Sequence, residues 1–423
     1  MVFQSMVVRA LCALLAVTAV GLVEWTQRPA TVVAALASTP ARSESLLSVG
    51  LKQVGQGTIP MPEGALAAHA STLLAMPVGS ASVLTAFWFA GDRESAPNVQ
   101  IAAAQLDRDT QRWSAARFVV NRQALGAQLG FGVRRLGNPV AWLDTQYRVH
   151  LFVVATGWGG WAASRIVHLQ QASQSSALPD LQFEPVRLLP LSWWWNTSFL
   201  VRNAVMPLQD GGMVLPVHFE LGIKYPVALR FNRNGEFAGM VRMSQRRDVL
   251  QPALVMRSPS EWIAFLREQR SHGKVGAVQT TDGGAHWSDL PDLVLDNPDA
   301  AVAALQLGAW EAERFAQVKE ESAQRAGDTE QNVLPSRLLI PQRLVLAHNP
   351  STESRIQLDL STSTDGLDWQ TLGTLERGGQ GDEFSYPALA WADGSVWVTY
   401  TQNRKRIAWQ RWAGVPVVAK GLP

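Results

Sequence analysis

The sequence predicts an all-β fold, a six-bladed β-propeller, with an N-terminal signal or anchor segment and one helical insert. Three observations lead there. Short apolar runs rich in β-branched and aromatic residues recur along the chain, bounded by Gly, Asp, Asn and Pro, which is how strands between turns read. A turn carrying Asp, Gly and a following Trp is repeated. A polar or aromatic residue also recurs at the head of an apolar strand, often directly before Pro, at six places along the chain.

At the N-terminus, Arg9 precedes an apolar run over residues 10–23. The run has the length of a signal-peptide core and falls short of the ~20 residues that a membrane span needs. A small-x-small site follows at Ala35-Leu36-Ala37. Residues 1–37 therefore read either as a cleaved signal peptide or as an uncleaved signal-anchor with residues 10–23 tethering the chain to the inner membrane. Both readings export the body, to the periplasm or beyond. Cys12 is the only cysteine and lies inside this run. Arg9 occupies the place where a lipidation site needs an aliphatic residue. The body can form neither a disulfide nor a thiolate metal site. Residues 38–63, opening with Ser, Pro and Arg, read as a tether.

The propeller is expected over residues 64–415. Its clearest strands are 82–89 (SVLTAFWF), 149–155 (VHLFVVA), 213–218 (MVLPVH), 262–266 (WIAFL), 343–347 (RLVLA) and 395–400 (SVWVTY). Residues 310–332 break the pattern. They are charged and rich in Ala, Glu and Gln, a composition that favours helix, so residues 310–335 are read as a helical or disordered insert on a loop.

The best copy of the repeated turn is Thr280-Thr281-Asp282-Gly283-Gly284-Ala285-His286-Trp287. A copy one residue shorter is Ser363-Thr364-Asp365-Gly366-Leu367-Asp368-Trp369, and a weaker one is Asp109-Thr110-Gln111-Arg112-Trp113. The Asp caps backbone N–H groups, Gly accepts a positive φ, and Trp packs under the hairpin. The strand-head repeat runs through His69-Ala70-Ser71, Asn138-Pro139, Asn203-Ala204, Gln251-Pro252, Asn297-Pro298 and Tyr386-Pro387. Units of about 45–70 residues, allowing for the insert, are single blades of a few strands. The first strand of each blade lines the central channel, so these residues converge on one pocket.

Composition excludes several classes. With 37 Lys+Arg against 35 Asp+Glu the net charge is +2, too even for a nucleic-acid partner. None of the seven histidines has a zinc-ligand spacing, and no nucleotide-binding loop or serine-hydrolase elbow is present. No metal and no cofactor is expected. Tryptophan is abundant, at 17 residues against four tyrosines, as suits a structural repeat or sugar-stacking surfaces. Trp193-Trp194-Trp195 reads as a sugar-stacking loop near the pocket or as an apolar blade edge.

His69-Ala70-Ser71-Thr72, the run Trp88 to Glu94, Gln251-Pro252-Ala253, the turn at Asp282, and Ser385-Tyr386-Pro387-Ala388 followed by Val398-Thr399-Tyr400-Thr401 resemble the sialidase-like family of BNR, or Asp-box, propellers. The resemblance covers roughly residues 64–412. It implies an exported exo-glycosidase acting on an acidic, sialic-acid-like sugar. Members use an arginine triad for the substrate carboxylate, a tyrosine nucleophile assisted by a glutamate, and an aspartate acid/base. A phenol suits this task because an anionic nucleophile is repelled by the acidic sugar. By this resemblance Tyr386 is the nucleophile, while Arg267 and Arg355 are two of the triad. Three positions depart from the pattern: His69 stands for the first arginine, Gln251 for the glutamate, and Asn98 for the aspartate.

His69 and Tyr386 are thus the candidate catalytic residues. Arg267, Arg355, Arg93, Gln251, Asn138, Asn203 and Asn297 are the candidate substrate-binding residues. Two alternatives stay open. One is a polysaccharide lyase on uronic-acid glycans, with His69 or Tyr386 as base and the arginines and amides on the uronate. The other is a non-catalytic glycan-binding propeller. The expected partner in each case is an acidic oligosaccharide.

Overall fold

The computed structural model describes Thr18 and residues 49–416, apart from 174, 271–272 and 308–342. Six antiparallel sheets follow one another around a ring. Blade one is Ala67–Ala75, Ser82–Gly91, Gln100–Asp107 and Arg117–Val120, and blade two is Arg135–Leu143, Val149–Thr156, Ser164–Gln171 and Phe183–Leu188. Blade three has a split inner strand, Phe199–Val201 and Met206–Pro207, before Met213–Leu221, Ile223–Phe231 and Phe237–Arg242. Blade four comprises Val249–Met256, Trp262–Glu268, Gly276–Thr280 and Ser288–Asp289. Blade five comprises Ala303–Leu307, Arg343–His348, Gln357–Ser363 and Gln370–Arg377. The six apolar runs read from the sequence are the second strands of the six blades. They lie inside their sheets with both faces covered, so their residues are apolar almost without alternation.

Blade six takes Phe384–Ala392, Ser395–Gln402 and Arg406–Pro416 from the end of the chain and its outer strand, Val49–Thr58, from the beginning. Val49 to Thr58 pair with Pro416 to Ala408 in antiparallel register. Residues 38–63, expected as a tether, thus contain the strand that closes the ring. Leu51, Gln53 and Gly55 are half-buried while Lys52, Val54 and Gln56 are exposed, as suits an edge with one solvated face.

The apolar core is divided into six clusters, each lying between neighbouring blades. Phe87, Phe89 and Ile101 of blade one meet Leu136, Leu151 and Val153 of blade two. Trp88 on the other face of blade one packs with Trp397 of blade six. The sheets are therefore buried on both faces and solvated only at their edges.

The Asp-Gly-Trp turns join third and fourth strands. Asp282 Oδ1 accepts from His286 N at 2.9 Å and from Thr280 Oγ1 at 2.8 Å, and Trp287 Nε1 donates to Gly284 O at 3.2 Å. Gly284 is required: its φ is 91°, and a Cβ there would come within 2.5 Å of the Trp262 ring. Asp365 and Trp369 repeat the arrangement in blade five. In blade one the capping carboxylate is Asp107, accepting from Thr110 N at 2.8 Å, and not Asp109 as the sequence spacing suggested. Blade three has a further copy that lacks the Trp, with Asn232 Oδ1 accepting from Asn234 N and Glu236 N.

The N-terminal segment up to residue 37, apart from Thr18, and the expected helical insert lie outside the described residues. Among the described residues one α-helix is present, α1 (Arg122–Leu129), capped by Asn121 and Gly130. No described helix is long and apolar enough to cross a membrane.

Candidate functional site

The strand-head repeat corresponds to a bulge. In blades one, two, four and six the inner strand holds one residue more than its partner, between His69 and Thr72, Gly137 and Val140, Leu250 and Ala253, and Ser385 and Ala388. The extra residue has positive φ: Ala70 at 54°, Asn138 at 33°, Gln251 at 53° and Tyr386 at 54°. Pro follows three of them because a bulge leaves its N–H position unpaired. Left-handed backbone at non-glycine residues is costly and tends to persist where it serves a site. In blades four and six it brings Gln251 and Tyr386 onto one guanidinium, that of Arg267.

In blade five the left-handed residue is Asp299, with φ 54°. The sequence reading placed this position two residues early, at Asn297. Asn297 is fully buried, and its amide both donates to Ala300 O and accepts from Ala300 N. It shapes the turn and is closed to a substrate. The frame Asp299-Ala300-Ala301-Val302 aligns with Tyr386-Pro387-Ala388-Leu389 once Pro is not demanded, and that was the signal for Asp299.

Four of the expected residues meet directly. The His69 and Tyr386 rings lie 4.3 Å apart between centroids. Arg267, at the end of the second strand of blade four, donates from Nη1 to Gln251 Oε1 at 3.2 Å and to Tyr386 Oη at 3.4 Å. Asn203 joins through Gln251, whose backbone oxygen accepts from its Nδ2 at 2.8 Å. Arg355 reaches the cluster from blade five, donating to the backbone oxygen of Asp299 and to Glu383 Oε1. Asn138 is half-buried at the matching bulge of blade two. Arg93 is exposed on the loop beyond the second strand of blade one. Its neighbour Glu94 pairs instead with Arg404.

The sequence reading missed four charged members. Arg202 is buried and donates from blade three to Ser71 O at 3.1 Å in blade one and to Pro387 O at 2.7 Å in blade six. Its guanidinium lies 5.1 Å from the Tyr386 ring centroid, so it bridges the channel beneath the tyrosine. Asp299 binds Arg267 Nε at 2.6 Å. Glu383 lies between Arg355 and Arg404, with Arg404 Nε donating to it at 2.8 Å. Two of the four carried a legible signal: Arg202 as the polar residue next to Asn203 in the repeat, and Asp299 through its frame.

The electrostatics follow from burial and pairing. His69 is pushed down to about 3, chiefly by burial, with Arg404 reinforcing it, and its Nδ1 has no hydrogen-bond partner. It is neutral at physiological pH. Arg202 is lowered to about 10 by burial, which Tyr386 partly offsets. Burial also acts against the charge on Arg267, but Tyr386 and Asp299 outweigh it and raise the value. Glu383 is held down at about 2: burial opposes this, and Arg404, Ser385 and Arg355 prevail. The cluster is thus a chain of arginines, of which Arg267, Arg355 and Arg404 each hold a carboxylate of the protein itself.

A family model described as the BNR repeat-like domain matches residues 82–326, more than half of the 423-residue chain. The chain belongs to the BNR repeat-like family. Its fold is that of solved sialidases. The Hadza microbial sialidase Hz136 superposes with a TM-score of 0.60 at 15% identity, over 84% of this chain and 66% of that one. The Trypanosoma rangeli sialidase in complex with sialic acid gives 0.60 at 11%, over 88% and 60%. A protein of unknown function from Dyadobacter fermentans gives 0.62 at 11%, over 86% of this chain and 99% of that one. The chain spans less than two thirds of the two sialidases, and at these identities the likeness is one of fold. No curated protein matches the sequence significantly.

Proposed function

We propose that the protein is an exported, sialidase-like carbohydrate-active protein that takes an acidic sugar at the channel mouth and cleaves its glycosidic link, with Tyr386 as the central group. The observation that carries this reading is the meeting of Tyr386 Oη, at the head of an inner strand, with Arg267, at the end of a second strand, with Gln251 on the same guanidinium. The substrate carboxylate would accept from Arg267 and Arg355, and Tyr386 would attack the anomeric carbon from the channel side. Its bond to the sugar would replace the link to the leaving oxygen, which takes up the phenol proton and departs as the alcohol; water would then cleave the tyrosyl link, giving the free sugar and returning a proton to Tyr386.

One observation favours binding without chemistry as the second reading. Gln251 cannot take the phenol proton, and the carboxylates at hand, Asp299, Glu383 and Glu94, are all bound to arginine. The lyase reading is weaker, because a histidine lowered to about 3 makes a poor base at neutral pH.

The test is turnover of a panel of sialosides and uronate polysaccharides by the purified protein, following released sialic acid and absorbance of unsaturated sugar, with Tyr386→Phe alongside. Release of sialic acid that the substitution abolishes supports the glycosidase. New absorbance would make the protein a lyase. Retained glycan affinity with neither product would leave a recognition module.

A further inference from the structure

A second site lies on the same face of the ring. Ala67 pairs with Gly91, so the head of an inner strand and the end of the second strand share one end of the blade. The loops after each second strand and the links between blades lie at that end, the end of His69, Arg267 and Tyr386. Three such segments of blades one and two, around Pro97, residues 122–134 and residues 157–165, line an open pocket of about 600 Å³.

Its lining is cationic and aromatic. Arg122, Arg134 and Arg165 line it together with Phe131 and Trp158, and no acidic residue does. Arg134 stacks over the Trp158 ring at 3.1 Å, and Arg165 lies over Phe131 at 5.2 Å. Arg122 is fixed by the backbone oxygens of Pro97 and Val133. A guanidinium over an aromatic face is held by the ring without using a carboxylate, which leaves its charge for an anion. At the channel mouth Arg267, Arg355 and Arg404 each hold a resident carboxylate, whereas these three have none among the described residues. In a chain whose net charge is only +2, three unpaired cations around one pocket form a local positive field that selects anions. Trp158 is 79% exposed, and Trp193, Trp194 and Trp195 stand exposed on the next link between blades at the same end. Exposed indole faces beside arginines suit a sugar ring that carries a carboxylate or sulfate.

We propose that this pocket is a distal anion subsite that binds an acidic sugar unit of an extended glycan, with Arg134 and Arg165 on the anionic group and Trp158 against the ring. The proposal rests on the channel-mouth reading only for the ligand being a glycan. The ligand class is an acidic oligosaccharide of several units; a lone inorganic anion is too small to use the aromatic surface.

The test is calorimetric titration of the whole protein with oligogalacturonate and oligosialate tetramers, a neutral maltotetraose and inorganic sulfate, using wild type, Arg134→Ala/Arg165→Ala, Trp158→Ala and Arg267→Ala. Circular dichroism and melting temperature check that each variant is folded. The expected result is binding of an acidic tetramer, not of maltotetraose, with at least tenfold weakening in the Arg134/Arg165 variant and several-fold in Trp158→Ala. Survival of that binding in Arg267→Ala would leave the subsite standing even if the channel mouth binds nothing. Affinity within twofold of wild type in the folded Arg134/Arg165 variant would overturn the proposal while leaving the channel-mouth reading untouched. Binding of sulfate alone, or of no acidic tetramer, would overturn it too.

Discussion

Arg267 Nε donates to Asp299 Oδ1 at 2.6 Å, so the arginine best placed to receive a substrate carboxylate already holds one from its own chain. The two residues come from neighbouring blades, four and five. Asp299 is partly exposed and Arg267 nearly buried, so the carboxylate is the member a ligand can displace. Asp299→Asn keeps the shape and removes the competing charge. Hydrogen bonds to charged groups are worth about 1.5–3 kcal/mol, and a tenfold change in affinity corresponds to about 1.4 kcal/mol. Asp299→Asn is therefore expected to bind N-acetylneuraminic acid about tenfold more tightly by calorimetry. An unchanged affinity would show that Asp299 does not occupy the carboxylate seat.

Gln251 accepts from the same guanidinium that touches Tyr386. Gln251→Glu places a carboxylate where a base for the phenol is missing. Positioned general bases contribute roughly 10²–10⁴-fold, so turnover of a fluorogenic sialoside is expected to rise at least tenfold, with Tyr386→Phe abolishing the gain. Equal rates in wild type and Gln251→Glu count against Tyr386 chemistry.

Acid should destabilise the propeller well above the carboxylate range. His69 and His168 are pushed down to about 3 and His348 to about 4, each chiefly by burial. Unfolded histidine titrates near ~6.5. Between pH 6.5 and those folded values the unfolded chain binds more protons, so stability falls as pH falls. Glu383, depressed to about 2, adds its own loss only below its unfolded value of 4.5. Urea unfolding between pH 7 and 5 should therefore show a falling free energy, with a shallower slope in His69→Asn. A flat profile across that window would remove the buried neutral histidines from the account.

The Asp282 turn is a stability element. Its carboxylate accepts from His286 N and from Thr280 Oγ1. Asp282→Ala removes both bonds beside the Trp287 hairpin, where water can reach the exposed His286 N–H, at about 0.5–1.5 kcal/mol each. A melting temperature lowered by several degrees, with glycan affinity retained, is the expected outcome. Loss of affinity at unchanged stability would make the turn part of a binding surface.

Removal of residues 1–58 should open the ring. The strand Arg406–Pro416 would lose the pairing made by Val49–Thr58 and present an unpaired edge, which invites aggregation. Light scattering and thermal unfolding of the shortened chain are expected to show both aggregation and a lower melting temperature. A monomeric chain of unchanged stability would show that the closing strand is dispensable.

The second strands were legible because they are buried on both faces and so stay apolar along their length. The turns at Asp282 and Asp365 were legible because their chemistry is local, and so were the bulges at Asn138, Gln251 and Tyr386, which left a polar residue before Pro. The closing strand Val49–Thr58 was not, since an edge strand is only half buried and its partner lies at the far end of the chain. In blade five Pro298 drew the reading to Asn297, although the left-handed residue is Asp299. In a bulge Pro is tolerated and not required, so it is an imperfect marker of register.

From its sequence alone this protein is a six-bladed BNR-type propeller with Tyr386 and Gln251 at inner-strand heads and Arg267 at the end of a second strand, because strands, turns and bulges are set by residues near one another in the chain. The state of those residues was decided only by the tertiary structure. Arg202 spans blades to sit beneath Tyr386, Asp299 and Glu383 neutralise arginines from other strands, and burial keeps His69 uncharged. Charge pairing and desolvation depend on which distant residues the ring brings within a few ångströms, and no local pattern encodes that.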